Sequence, residues 1–247
     1  MNVKLARFPA RSPLLASVFF SIAISAFAQE QTRQQAKCVS PDGKWEFRAG
    51  ASGEQGDFVI AKAGSDEAFL VLSEEEYVDG LAESLGRRPG YANIVWAPDS
   101  KRFAYNLHPA KAYQTVQLYQ LEGDTWRKLK SPECKATTAP LEGSMARRKK
   151  KLNLPADWPF LTSWGVRKWI DSSTALLYAH QGKTVEITDQ TEAVSASFFF
   201  TLKFDRAGNW KVTRTFEVPD EGVAGLNAEE REEIDSIEKE KQESRRK

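Results

Sequence analysis

The sequence has few of the residues from which catalytic and metal sites are built. Its 247 residues include only two cysteines and two histidines, His108 and His180. It has no Gly-x-Ser-x-Gly elbow, no paired spacing of metal ligands and no glycine-rich phosphate loop, so serine hydrolase, zinc and nucleotide sites lack support. Carboxylates are plentiful, but no pattern marks two of them as an acid and a base. We therefore predict no catalytic residue, no metal and no cofactor, and we favour ordinary structural positions for both histidines.

The chain also lacks a strong excess of charge of either sign. Lysine and arginine number 35, against 34 aspartates and glutamates. Residues 1–28 contain three cations and no acid, so the chain without them is slightly acidic. Proteins that bind nucleic acid need a basic surface to displace condensed counterions. We therefore expect no nucleic-acid partner.

Long apolar runs are absent except for one, Leu14–Phe27, near the start of the chain. It follows the cations Lys4, Arg7 and Arg11 and ends at Ala26-Phe27-Ala28, which is typical of a secretory signal peptide. A membrane anchor is the alternative, but a spanning helix needs about 20 apolar residues. We predict cleavage after Ala28, periplasmic or secreted localisation, no transmembrane span after cleavage, and disorder over residues 29–36.

Both cysteines, Cys38 and Cys134, lie in the part predicted to be exported. An oxidising compartment permits them to pair, so we favour a disulfide, with two buried thiols as the alternative. A redox-active pair is disfavoured because there is no Cys-x-x-Cys motif.

A turn followed by hairpins occurs three times along the chain. The three openings are Ser40–Lys44 (SPDGK), Ala97–Lys101 (APDSK) and, more loosely, Ile170–Ser173 (IDSS). In the first, proline suits the second position of a type I turn and Gly43 suits the fourth. The pattern predicts an array of antiparallel β-repeats, and hence an all-β fold.

The predicted repeat domain spans residues 37–218, with units at about 38–74, 91–130 and 163–217. The stretch 131–162, rich in proline and cations, is predicted to be an insertion or linker, and 77–90 an exposed connector. Alternation in the third unit predicts that Phe198, Phe200, Leu202 and Phe204 lie on one face of the hairpin. Trp210, Val212 and Phe216 are predicted to pack beside them on the same face of the next strand.

Residues Ser40–Lys44 and Trp96–Tyr105 resemble the Tol-B-type, WD40-like β-propeller repeat. The resemblance implies four-stranded antiparallel blades and names no chemistry. Propellers typically close with four to eight blades, whereas three units are recognisable here. We therefore expect an incomplete or small propeller with an exposed sheet edge, an irregular closure pinned by Cys38 and Cys134, or a partner.

Residues 219–247 are strongly charged and predict a short C-terminal helix. Asn227 and Glu230 form a plausible capping box at its start. Only Leu226, Ile234 and Ile237 offer apolar contacts, so we favour a solvated helical tail over a docked helix.

The strongest candidate for a binding surface is the basic run Arg147, Arg148, Lys149, Lys150 and Lys151. It could contact an anionic lipid, polysaccharide or acidic protein, with Leu152 nearby for apolar contact; a solvated basic loop is the alternative. Among the tryptophans, Trp96, Trp169 and Trp210 are predicted to pack in the core, and Trp158 and Trp164 to lie at the surface.

These features favour an exported non-enzymatic module that binds a protein or cell-envelope component through its loops. One alternative is a hydrolase with carboxylates at the mouth of the array. Another is a structural subunit that completes a propeller by homodimerisation.

Overall fold

Strands dominate the fold, which contains three antiparallel sheets and two helices in the part of the chain that the structure describes. The computed structural model describes residues 39–49, 58–72, 91–110, 113–155, 161–187, 190–220 and 223–245. The predicted signal peptide, residues 29–36, Cys38, Trp158 and the connector 77–90 lie outside the described residues. The predicted all-β antiparallel class with a short C-terminal helix is confirmed.

Each sheet is a simple meander in which neighbours in sequence are neighbours in the sheet. The first sheet contains β1 (Trp45–Ala49), β2 (Phe58–Lys62) and β3 (Ala68–Leu72). The second contains β4 (Tyr91–Trp96), β5 (Arg102–Ala110), β6 (Tyr113–Glu122) and β7 (Thr125–Lys128). The third contains β8 (Thr162–Asp171), β9 (Thr174–Ile187), β10 (Gln190–Phe204) and β11 (Trp210–Glu217). Helix α1 (Lys135–Lys151) precedes the third sheet in sequence, and α2 (Ala228–Arg245) follows it.

The turn that opens the first unit has the predicted geometry. Gly43 N–H donates to the Ser40 carbonyl over 2.9 Å, and Gly43 has a φ of +72°. The Asp42 carboxylate accepts from the Ser40 hydroxyl at 2.7 Å and from Lys44 N–H at 3.1 Å. Local hydrogen bonds therefore define this turn, as expected for short polar side chains.

The second copy of the turn has Ser100 at the position of the glycine. Ser100 N–H donates to the Ala97 carbonyl at 2.9 Å, and its φ of +58° is left-handed, which is unfavourable for a residue with a Cβ atom. Its buried Oγ accepts a hydrogen bond from Asp42 N–H at 2.9 Å. Because glycine has no hydroxyl, serine here links the first two repeat turns directly.

The third, looser copy forms the same local hydrogen bond. Asp171 Oδ1 accepts from Ser173 N–H at 2.7 Å, as Asp99 accepts from Lys101 N–H at 3.1 Å in the second copy. Burial alone would raise the pKa of Asp171, but hydrogen bonds from Ser173 and Thr174 lower it to about 2. The carboxylate, rather than proline or glycine, is thus common to all three turns.

Aromatic side chains join the first sheet to the second. The rings of Trp45 and Trp126 lie 5.4 Å apart, and those of Phe47 and Tyr105 6.0 Å apart. Both arms of the first hairpin, Phe58–Ala61 and Phe69–Leu72, have apolar residues on both faces, which predicts strands covered on two sides. That expectation is wrong for β3, where Phe69 is 38% and Val71 52% exposed.

Buried polar side chains join the second sheet to the third around a shared apolar core. The Asn106 side chain donates to the Val166 carbonyl at 2.9 Å and accepts from its N–H at 3.0 Å. The buried Arg102 guanidinium donates to the carbonyls of Ser172 and Asp205, each at 2.8 Å. These bonds give hydrogen-bond partners to the buried backbone groups of Val166 in β8 and to one carbonyl in each of two third-sheet loops.

A bulge in β11 corrects the predicted facing of its side chains. Leu202 pairs with Val212 and Phe204 with Trp210, as predicted, but the register shifts between Thr201 and Leu202. Phe216 consequently packs on the opposite face of the sheet. A bulge inserts one residue and reverses the alternation beyond it, which a period-two pattern cannot show.

The interpretation of α2 as a solvated tail is wrong, because the helix packs on the third sheet. Leu226, Ile234 and Ile237 are buried against that sheet. The predicted capping box is present: Asn227 N–H donates to Glu230 Oε2, and Glu230 N–H donates to Asn227 Oδ1, both at 2.9 Å. Contacts with the sheet, rather than propensity alone, hold this narrow apolar stripe in place.

Helix α1 occupies the stretch predicted to be an insertion with little strand pattern. Its buried apolar residues are Leu141 and Met145, and Pro140 lies within it, so the sequence has little amphipathic signal. All four residues of its last turn are basic, and these positive charges stabilise the negative end of the helix dipole. Trp164 was predicted at the surface but is buried in the core, 6.4 Å from the ring of Phe200, so that prediction is wrong.

Candidate functional site

A cavity of about 470 Å³ lies between the C-terminal half of α1 and the end of β11. It is lined by Ser144, Arg147, Arg148, Lys151, Leu152, Val194, Glu217 and Asp220. Its volume falls in the range of about 300 to 1,000 Å³ that small-ligand sites occupy. The wall therefore combines three cations, two carboxylates and an apolar patch.

Helical spacing selects which residues of the basic run reach the cavity. Positions three, four and seven residues after Ser144 lie on its face of the helix, and these are Arg147, Arg148 and Lys151. Lys149 and Lys150 do not line the cavity. The predicted set of five cations is thus divided, with three at the site.

Two carboxylates hold the arginines in place. Glu217 accepts from the hydroxyl of the buried Ser144, from Arg147 Nη2 at 3.1 Å and from Arg148 Nη2 at 3.3 Å. Arg148 Nη1 also contacts both Asp220 oxygens, at 2.6 and 2.8 Å. Burial lowers the pKa of Arg148, but its hydrogen bonds to Asp220 and Glu217 raise it overall. Arg148 is therefore a fixed cation that anchors the cavity wall.

Lys151 and Arg147 are the cations most open to an incoming group. The side chain of Lys151 is exposed and forms no ion pair or hydrogen bond within the described ranges. Arg147 is also exposed, and its guanidinium pairs with Glu217. A guanidinium has five N–H donors, so Arg147 retains donors for a ligand. The cavity thus presents available positive charge beside an apolar patch formed by Leu152 and Val194.

Several of these lining residues were not identified from the sequence. Leu152 was named as an apolar neighbour of the basic run, but Ser144, Val194, Glu217 and Asp220 were not. Glu217 and Asp220 lie about 70 residues beyond α1 at the end of a strand, where no motif marks them. Only the packing of α1 on the third sheet brings the two segments together.

The residues that precede α1 carry no assigned chemistry. Cys134 is half-buried at the N-cap, where its N–H donates to Thr137 Oγ1 at 3.2 Å. Cys38 lies outside the described residues, so the disulfide stays a prediction. Burial raises the pKa of the neighbouring Glu133 to about 7, although a hydrogen bond from Val116 N–H opposes the shift. Glu133 does not line the cavity, so it does not supply the raised-pKa carboxyl that a hydrolase would need there.

Both histidines lie within strands, His108 in β5 and His180 in β9. His180 in β9 has its Nδ1 2.9 Å from the Oγ of Ser197, which also accepts from the Tyr178 hydroxyl at 3.1 Å. Ser197 and His180 face each other in the antiparallel register, so sheet pairing accounts for the contact. The side chain of His108 lies outside the described residues.

Within the described ranges, no group of three histidine, cysteine, aspartate or glutamate side chains is arranged to hold a metal ion. No helix in that same part of the chain is long and apolar enough to cross a membrane. No family model, curated protein or solved structure matches this chain.

Proposed function

We propose that this chain is an exported, non-enzymatic β-repeat module that binds an acidic protein or cell-envelope component through the cavity beside α1. The observation that carries the proposal is the cavity of about 470 Å³ with Lys151 and Arg147 open at its wall. The signal-peptide pattern of residues 1–28 supports export.

The existing ion pairs suggest how a ligand would bind. Arg148 stays on Glu217 and Asp220, while an incoming anion accepts from Lys151 and from the remaining N–H groups of Arg147. Leu152 and Val194 provide apolar contact beside these donors. Charge-assisted hydrogen bonds at an apolar wall are the usual means of orienting a small acidic group.

Propeller identity is part of the proposal. It is supported by three successive meander sheets, of which the second packs against both the first and the third. A second copy that completes the ring is the structural alternative. Mass measurement in solution distinguishes the two, because a strict monomer is incompatible with closure by dimerisation.

The experiment compares binding of two variants to two anionic probes. Arg147→Ser/Lys151→Ser removes the open cations, and Lys211→Ser removes an exposed lysine at the far end of β11 as the matched control. The probes are phosphatidylglycerol vesicles and polyglutamate, which distinguish a lipid from an acidic protein. At about 1 kcal/mol for each cation near an anionic surface, we expect the double variant to bind at least about tenfold more weakly.

The control should bind as the wild type does. Equal losses in both variants would show that binding is nonspecific electrostatics. If the wild type binds neither the vesicles nor polyglutamate, the proposal of an anion-binding cavity is contradicted.

A further inference from the structure

The outer face of the third sheet, which α2 covers, has the composition of a protein interface. Its apolar residues are Leu176, Tyr178, Phe199, Phe216 and Val218. Three cations surround them: Arg167 and Lys168 on β8 and Arg214 on β11. An apolar centre with a charged rim is typical of surfaces that bind other proteins. We call this surface the α2 face.

A bulge in β8 places two of the three rim cations, Arg167 and Lys168, on the α2 face. In a regular strand, Arg167 and Lys168 would point to opposite sides of the sheet. The register shifts between Val166 and Lys168, and both side chains reach α2. The rim is therefore a specific feature of this strand, not a consequence of regular alternation.

Helix α2 occupies the face through few apolar contacts and many ion pairs. Leu226, Ile234 and Ile237 provide the apolar contacts. Arg167 pairs with Glu233 at 3.1 Å and Glu240 at 2.8 Å, Lys168 with Glu229 and Glu232, and Arg214 with Glu230 at 2.7 Å. Most of these carboxylates are partly or largely exposed, with Glu230 fully buried. Ion pairs of the exposed kind are weak and are screened by salt.

We propose that the α2 face is a docking site for an acidic amphipathic helix of a partner protein, and that α2 occupies it as an internal competitor. The charges argue for this partner: within the described residues, the sheet side chains that form ion pairs with α2 are all cations, and their partners on α2 are all glutamates. Ile234 and Ile237 lie three residues apart on one face of α2. A competing helix therefore needs two apolar residues three positions apart, as Ile234 and Ile237 are, with glutamates around them. The inference goes beyond the proposed function, because this face and the cavity have no lining residue in common.

The test uses the full chain and a fluorescent peptide with the sequence of its own residues 226–245 as probe. Ile234→Asp/Ile237→Asp undocks α2, and we expect this variant to bind the probe at least tenfold more tightly than the wild type does. Adding Lys168→Glu to that variant should weaken probe binding at least tenfold. A scrambled peptide of the same composition should bind neither protein, and raising the salt concentration should weaken probe binding.

A milder variant keeps the test informative if the double substitution impairs folding. Glu229→Gln/Glu232→Gln removes two exposed helix charges and leaves the apolar contacts intact, so it should bind the probe several-fold more tightly than the wild type. Equal probe affinity in the wild type and both variants would overturn the proposal, as would equal binding of the scrambled peptide. A wild-type dimer that dissociates on Ile234→Asp would overturn it in favour of helix exchange between two copies.

Discussion

Replacement of Arg102 is expected to weaken the joint between the second and third sheets. Arg102 is 8% exposed, and its guanidinium donates to Gln120 Oε1 and to the Ser172 and Asp205 carbonyls, each at 2.8 Å. Arg102→Met keeps an unbranched apolar stem of similar length but removes all three bonds. The two carbonyls belong to separate loops of the third sheet, so both loops lose their anchor to β5.

The expected loss follows from the charge of the donor. Each hydrogen bond from a charged group contributes about 1.5 to 3 kcal/mol, but removing the buried charge also removes its desolvation penalty. The net loss of unfolding free energy is therefore expected to be about 3 to 5 kcal/mol. With a urea dependence of about 2 to 3 kcal/mol per molar, the unfolding midpoint should fall by about 1 to 2.5 M.

Urea unfolding followed by tryptophan fluorescence measures this loss. Arg127→Met is the matched control, because Arg127 Nη2 donates to the Ala207 carbonyl of the same β10–β11 loop at 2.7 Å, yet its side chain is 45% exposed. Water can replace that bond, so the control should lose far less stability. If the two variants lose the same amount, the stabilising role assigned to the buried guanidinium is wrong.

Four further substitutions test other parts of the fold. Burial raises the pKa of Glu133 to about 7 from its usual 4.5, so as pH rises the carboxyl loses its proton in the unfolded chain before it does so in the folded protein. The free energy of unfolding should therefore fall as pH rises between these two values. Glu133→Gln should abolish that fall when urea unfolding is measured across this pH range. Gly43 has a φ of +72° and open space around it, so Gly43→Ala should lower the free energy of unfolding by about 1 kcal/mol. Gly208 has a φ of +81°, and an added Cβ would lie only 2.7 Å from Leu129 Cδ2. Gly208→Ala should therefore lower the free energy of unfolding by about 2 to 3 kcal/mol in the same assay. Glu230→Gln, at a fully buried carboxylate paired with Arg214, should cost about 1 to 3 kcal/mol and speed amide exchange in α2; unchanged exchange would contradict the role of the pair.

Local features of this fold were predictable because local chemistry determines them. The Ser40–Lys44 turn depends on proline, aspartate and glycine at fixed positions, and the Asn227–Glu230 capping box depends on two residues three apart. The hairpin of β10 and β11 followed from the alternation of Phe198, Phe200, Leu202 and Phe204 and from the apolar residues after the turn. In these cases each signal lies within a few residues of the structure it specifies.

Features that depend on tertiary contacts were not predictable. The bulges that redirect Arg167 and Phe216 have no compositional signal, and α1 contains a proline and a narrow apolar stripe. Only part of the cavity lining was predicted from the sequence: the basic run was identified, but Glu217, which is distant in sequence, was not. The sequence analysis favoured a solvated helix because α2 has only three apolar residues. It did not show the cations of the third sheet that pair with the helix.

Amide hydrogen exchange of the full chain, with and without phosphatidylglycerol vesicles or polyglutamate, tests the anion-binding cavity most directly. The cavity is built from the last two turns of α1 and from residues 217–220. We predict that one of the two probes slows exchange in both segments and leaves exchange in β5 unchanged. Slowed exchange confined to other segments, or no change with either probe, would contradict the account.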